Sequence, residues 1–246
     1  MIKLLLLFTV LILFTAACFF PIACTHIAGA FFSEIQGSGH VVTETRSVKP
    51  FKAIELETVA DVEISQGAET SFSIEGDDNV LAVIHADVKD NKLIITSDHG
   101  YSSTGGVKVR ITTPTLESVD IEGSGSMKTM TPLTTASFTA LIEGSGDIDA
   151  NVTAERLKTE IDGSGDVTVR GIADTYVAEV AGSGSIHAFD LKARKGNITI
   201  SGSGDGEVNC SEELHAEVSG SGDIFYKGEP PVFKSSISGS GSVEKK

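Results

Sequence analysis

From residue 116 to the C-terminus, apolar residues fall on every second position, as in Val119 and Ile121, Phe138 and Ile142, and Leu157 and Ile161. A period of two is that of a strand with one buried face, whereas a helix would repeat every three to four residues. The alternation is punctuated by Gly-Ser-Gly, which begins at Gly123, Gly144, Gly163, Gly182, Gly202, Gly220 and Gly239, and once earlier at Gly37. From Gly123 the successive spacings are 21, 19, 19, 20, 18 and 19 residues. A flexible linker would not recur in register between β-branched segments, so the tripeptide marks a structural repeat.

Aligned on the tripeptide, the repeats form columns. Two residues before the first glycine stand Ile121, Ile142, Ile161, Val180, Ile200, Val218 and Ile237. Two residues earlier come Val119, Ala140, Thr159, Ala178, Ile198, Ala216 and Ser235, and before those Phe138, Leu157, Tyr176, Leu214 and Phe233. Past the second glycine stand Met127, Ile148, Val167, Ile186, Gly206, Ile224 and Val243, with a further column expected at Val152, Ile172, Leu191 and Cys210. One such segment cannot bury its own apolar face. Coiling the segments so that like positions stack at about 4.8 Å per turn closes a core, which predicts an all-β solenoid, a parallel β-helix with ~19–20-residue rungs. Both glycines share the inward parity, so the chain is expected to turn a corner there, where a side chain would strike the core or where positive φ is needed.

The first half is less regular. Strands are expected at Ala53–Leu56, Asp61–Ser65, Ser71–Glu75, Lys92–Thr96 and Val107–Thr112, and a helix over Asn79–Val88, where Val80, Leu81, Val83, Ile84 and Val88 approach helical spacing behind a possible Asp77-Asp78 cap. These segments read as longer, looser rungs that cap or continue the same column. Tyr101–Gly106, rich in Ser and Gly, reads as a mobile loop.

Composition adds compartment and partners. The 246 residues include 26 glycines and no tryptophan, which suits strands and turns. A formal charge of −15, from 34 acidic against 19 basic residues, argues against nucleic acid, because a polyanion needs a basic surface. Residues 1–30 read as a targeting and anchor region. Lys3 precedes an apolar run from Leu4 to Ala17 and then Cys18, a pattern that resembles a bacterial lipoprotein signal peptide with Cys18 as the lipidated residue. Thr15 departs from that pattern, and Cys24 fits it less well. Cleavage after Ala30, giving a secreted protein, and an uncleaved membrane-spanning helix remain open. Each exports the rest of the chain. Only Cys210 lies beyond this region, so packing and hydrogen bonds rather than a disulfide must hold the fold. The reading thus divides the chain into the anchor region, irregular rungs over 31–115 and regular rungs over 116–246, with 37–246 as one continuous domain.

The segments Phe51-Lys52-Ala53-Ile54-Glu55-Leu56 and Val62-Glu63-Ile64-Ser65-Gln66-Gly67, the stretch from Ser73 to Val88, and the Gly-Ser-Gly repeats together resemble bacterial envelope proteins of the putative auto-transporter adhesin, head GIN domain family. The resemblance spans roughly Gly37 to Val243 and implies a right-handed parallel β-helix in the cell envelope. It supplies no catalytic residues.

The chemistry on offer is sparse. Acidic residues follow the tripeptide at Asp147, Asp166, Asp205 and Asp223 and precede it at Glu122, Glu143 and Asp162. Stacked about 5 Å apart, like charges repel unless screened or bridged, so a Ca²⁺ site is considered at Glu122, Glu143, Asp147, Asp162 and Asp166. Gly-Ser-Gly-Asp is similar to calcium-binding β-roll repeats, whose period is about nine. The competing reading is that Asp favours turns through bonds to backbone. No Walker loop, His-Glu-x-x-His, zinc-spaced cysteine pair or Gly-x-Ser-x-Gly elbow is present. His187 and His215 read as solvated surface residues. The expected role is non-enzymatic: an adhesin or binding module for a cell-surface or extracellular ligand, glycan or protein, without a cofactor. An envelope scaffold and a polysaccharide-active β-helix enzyme are the alternatives.

Overall fold

The computed structural model describes residues 34–246. They form a β-solenoid of about seven turns, with stacked coils about 19 residues apart. The signal region, including Cys18, Cys24 and the Ala30 cleavage point, lies outside the described residues.

The regular turns are built from long strands such as Leu133–Gly144, Asp147–Gly163, Asp166–Gly182, Leu191–Gly202 and Gly206–Gly220, each paired parallel to the next. The registers reproduce the expected columns: Ile121, Ile142, Ile161, Val180, Ile200, Val218 and Ile237 lie directly over one another. All but the last are fully enclosed. Ile237 is 48% exposed because the last strand of this column, Val232–Gly239, pairs on one edge only.

At the corners the two glycines serve different ends. The first is held at positive φ, +147° at Gly163, and a Cβ there would lie 2.1 Å from the Gly144 carbonyl oxygen. That carbonyl accepts the Ser164 amide at 2.8 Å, so the ladder runs unbroken around the corner and leaves no space for a methyl group. The second glycine sits against the rung before it, where a Cβ on Gly165 would meet the Gly146 carbonyl at 2.0 Å.

One column differs from expectation. Gly171, not Ile172, stands between Val152 and Leu191, and Ile172 points outward at 55% exposure. Gly171 adopts φ +115° with its Cα close over Val152, a conformation Ile cannot take. Cys210 lies over Ala193 in the neighbouring column, beside Ala173 and Ala154. Gly196 completes the column of Phe138, Leu157, Tyr176 and Leu214, its missing side chain replaced by the Cys210 sulfur, which lies 2.3 Å from where a Cβ would be.

The N-terminal half both extends and closes the stack, but not in chain order. Strand Ala53–Leu56 is paired parallel to Ser118–Gly123 on one side and to Lys92–Ser97 on the other. Asp61–Gln66 lies likewise between Ser126–Thr129 and Lys108–Thr113. The first rung in sequence is therefore the second in space. Beyond the outer rung the pairing turns antiparallel: Ile84–Lys89 on Lys92–Ser97, Ser71–Asp77 on Lys108–Thr113, and Val41–Thr45 on Ser71–Asp77.

The helix expected over Asn79–Val88 is confined to Asp78–Leu81. Its successor is a strand because Asp90 and Asn91, both at positive φ, make a two-residue hairpin that sets Lys89 opposite Lys92. Asp77 stands at the cap position without bonding the helix. Its buried carboxylate instead accepts from the Gly39 amide at 2.8 Å and the Ser103 hydroxyl at 2.6 Å. Tyr101–Gly106 is accordingly tied down: Tyr101–Ser102 pairs with Ile35–Gln36, and the Tyr101 hydroxyl donates to the Val59 carbonyl at 2.5 Å.

Candidate functional site

Because the core columns face inward, everything available to a partner lies on the outward ladders. Glu122, Glu143 and Asp162 stack in register on one side of the Gly-Ser-Gly corner, exposed. Asp147 and Asp166 stack on the other side of it. Their oxygens are directed along the stack, not toward a shared centre. Asp147 Oδ1 accepts the Asp166 amide at 3.2 Å, Asp166 Oδ1 accepts the Ser185 amide at 2.9 Å, and Asp223 Oδ1 accepts the Ser242 amide at 2.7 Å. Each carboxylate thereby takes up an amide of the next rung, as a capping aspartate does on a helix.

Farther from the corner the ladders alternate in sign. Asp149 lies between Lys128 at 3.0 Å and Arg170 at 2.5 Å. Burial opposes its charge, but the bonds from Arg170 and Lys128 keep its carboxyl below the ordinary range. Lys158 reaches Glu160 and Glu179, and Arg194 spans Glu212 and Asp174. These exposed pairs set register between rungs more than they add stability.

Among the described residues, one set of three carboxylates lies close enough to share an ion. The ligand oxygens of Glu55, Asp120 and Glu122 are all within 4.8 Å of one another. Of the five carboxylates expected from the sequence, only Glu122 belongs to this set. Asp120 pairs with Glu55 across the strands Ser118–Gly123 and Ala53–Leu56, and Glu55 bonds Lys92 from the rung beyond. Burial opposes the Glu55 charge, but hydrogen bonds from Lys92 and Glu57 hold its carboxyl below the ordinary range. Asp120 is the reverse case. Desolvation, opposed by Lys92 but reinforced by Glu55, Glu122 and Glu143, pushes its carboxyl up to about 6, and its Oδ1 is buried without a hydrogen-bond partner. The sequence offered no route to this group, because Glu55 meets Asp120 only through the inverted order of the first rungs.

Nucleophiles are absent from the described surface in any activated form. Cys210 is fully buried, and desolvation pushes its thiol up to about 12, the wrong direction for reactivity. His187 and His215 lie outward beside Glu207 and Glu213, at 3.4 and 3.1 Å. Neither has a hydroxyl or thiol to activate among its bonded partners.

Residues 50–230 match the family model described as putative auto-transporter adhesin, head GIN domain. The chain belongs to that family. A putative adhesin from Bacteroides fragilis NCTC 9343 is 32% identical, with a TM-score of 0.81, covering 86% of this chain and all of its own. A putative lipid binding protein from Parabacteroides distasonis ATCC 8503 is 27% identical, with a TM-score of 0.73 and coverage of 87% and 100%. A second protein from that strain, a putative adhesin, is 24% identical at a TM-score of 0.69 over 87% of this chain and 100% of its own, and shares the fold. No curated protein matches the chain. Membership of an adhesin family suggests a cell-surface or envelope location. Among the described residues, no helix is long and apolar enough to cross a membrane.

Proposed function

We propose that the chain is a non-enzymatic binding protein of the bacterial cell envelope, an adhesin whose solenoid displays outward ladders to a glycan or protein on a neighbouring surface. The observation that carries this reading is the regular outward array itself. Successive rungs set outward polar residues over one another at strand spacing, as Glu122, Glu143 and Asp162 are, which favours many weak contacts acting together over one chemical centre. Catalysis finds little support. Among the described residues Cys210 is buried, and neither His187 nor His215 contacts a hydroxyl or thiol that it could activate.

The lipid-binding description of the Parabacteroides relative bears on where a ligand could sit. The space among Ile64, Phe138 and Ile148 is closed to water, and the core columns around it are sealed, which favours a site for an acyl chain on the outside of the coil. In this reading the domain is tethered through a lipid on Cys18, and mass spectrometry of the mature N-terminus tests that tether. Glycan arrays and whole-cell binding with the purified protein test the adhesin role. Saturable binding to a defined glycan or surface protein is the expected result, and turnover of a polysaccharide without retention would overturn it.

A further inference from the structure

Within its long paired strands the stack carries one register shift. Between Leu191–Gly202 and Gly206–Gly220, Ala193 pairs with Cys210 but Lys195 pairs with Glu213, so Ser211 and Glu212 together oppose Arg194. Such a bulge bends the strand outward. On the rung below, Gly171 in the core column turns Ile172 toward solvent. The two irregularities open a notch of about 420 Å³ on the outer face, within the range of small-ligand sites.

Ile172 is the exposed apolar side chain of the notch, Ala173 and Ala193 border it only along the backbone because their side chains lie in the core, and Lys192, Asn209 and Ser211 stand at its edge. Its charges are not equivalent. Arg194 is consumed by Glu212 at 2.9 and 3.1 Å and by Asp174 at 3.3 Å, which fixes it as a wall. Lys195 is paired with Glu213. Lys192 has no ion-pair partner among the described residues, so it presents a full positive charge on a molecule whose sum is −15. The Ser211 hydroxyl makes only a long bond to the Ala193 carbonyl, 3.4 Å, and the Asn209 amide is oriented by the Phe189 carbonyl at 3.1 Å.

We propose that this notch binds a small ligand carrying one carboxylate beside an apolar face. The carboxylate would meet Lys192 and Ser211, and the apolar face would cover Ile172. A neutral sugar would leave Lys192 unsatisfied, and a cation would be repelled by it. The inference rests on the binding-protein reading and names a ligand class for it. An acidic sugar and a fatty acid both present this chemistry.

Amide NMR titration of the full chain with glucuronate, glucose, hexanoate and hexanol separates these sources. Either carboxylate should shift the amides of residues 172–174, 192–194 and 209–211 with millimolar affinity, and its neutral counterpart should bind about tenfold more weakly. Glucuronate acting alone assigns an acidic sugar, and hexanoate acting alone assigns a fatty acid. Lys192→Gln, an exposed change that spares the core, should weaken binding about tenfold. Ile172→Ser should weaken hexanoate more than glucuronate. Absence of shifts with both carboxylates, or unchanged affinity in Lys192→Gln, overturns the proposal. Glycan-array and cell-binding signals retained by Lys192→Gln alongside such a result would leave the adhesin reading standing while the notch falls.

Discussion

The hydroxyls of Tyr176 and Thr159 lie 2.9 Å apart in the middle of the stack, both side chains sealed from solvent. They sit on adjacent rungs in adjacent inward columns, and burial raises the Tyr176 phenol far above its ordinary value, so the pair is neutral. Each is the partner that makes burial of the other tolerable.

Removing one member should therefore cost more than removing both. Tyr176→Phe leaves the Thr159 hydroxyl unsatisfied and should destabilise by about 1–3 kcal/mol, whereas adding Thr159→Val should recover part of that loss. Urea unfolding of the two single variants and the double variant checks the order.

The corner glycines should be far less replaceable than the serine between them. Gly163→Ala places a methyl group against the Gly144 carbonyl at positive φ and should cost at least about 2 kcal/mol, while Ser164→Ala should stay within about 0.5 kcal/mol. Thermal unfolding of both variants makes the comparison.

Asp166 should matter as a hydrogen-bond acceptor more than as a charge. Asp166→Ala strands the Ser185 amide and should cost about 1 kcal/mol, and Asp166→Asn, which keeps an oxygen in place, should cost less. Melting temperatures with and without added calcium would show whether the charge has a separate use.

Asp120 sets a pH dependence of definite sign. Its carboxyl holds a proton up to about pH 6 in the folded chain, against an ordinary value of 3.8. The folded state is thus favoured below pH 3.8, and the advantage fades as pH rises through about 6. The side chain is partly solvated, so screening limits the effect to about 1 kcal/mol. From pH 5 to 7, Asp120→Asn should gain about that much relative to the parent, measured as the difference in unfolding free energy.

Much of this architecture was legible in the amino-acid order because each regular rung repeats the same inward residues. Ile142, Ile161 and Val180 had to coincide once their spacings did. Ile172 misled because its apolar side chain suits a core column, and only the close approach of Gly171 to Val152 reveals that the strand has shifted by one residue. The stretch from Val80 to Val88 satisfied both periods, and the hairpin at Asp90 and Asn91, a long-range constraint, decided between them. Glu55 and Asp120 were invisible as neighbours for the same reason: the pairing of residues 53–56 with 118–121 bypasses an entire rung.

That bypass has a bearing on how the molecule assembles. With Lys92–Ser97 and its hairpin already lying along one edge of Ala53–Leu56, a single edge is left for Ser118–Gly123 to join. All residues of this foundation precede the first Gly-Ser-Gly corner of the regular series, so a chain emerging from its N-terminus can finish the template before any repeat is made. Growth can then proceed in one direction only, each new turn copying the one beneath it.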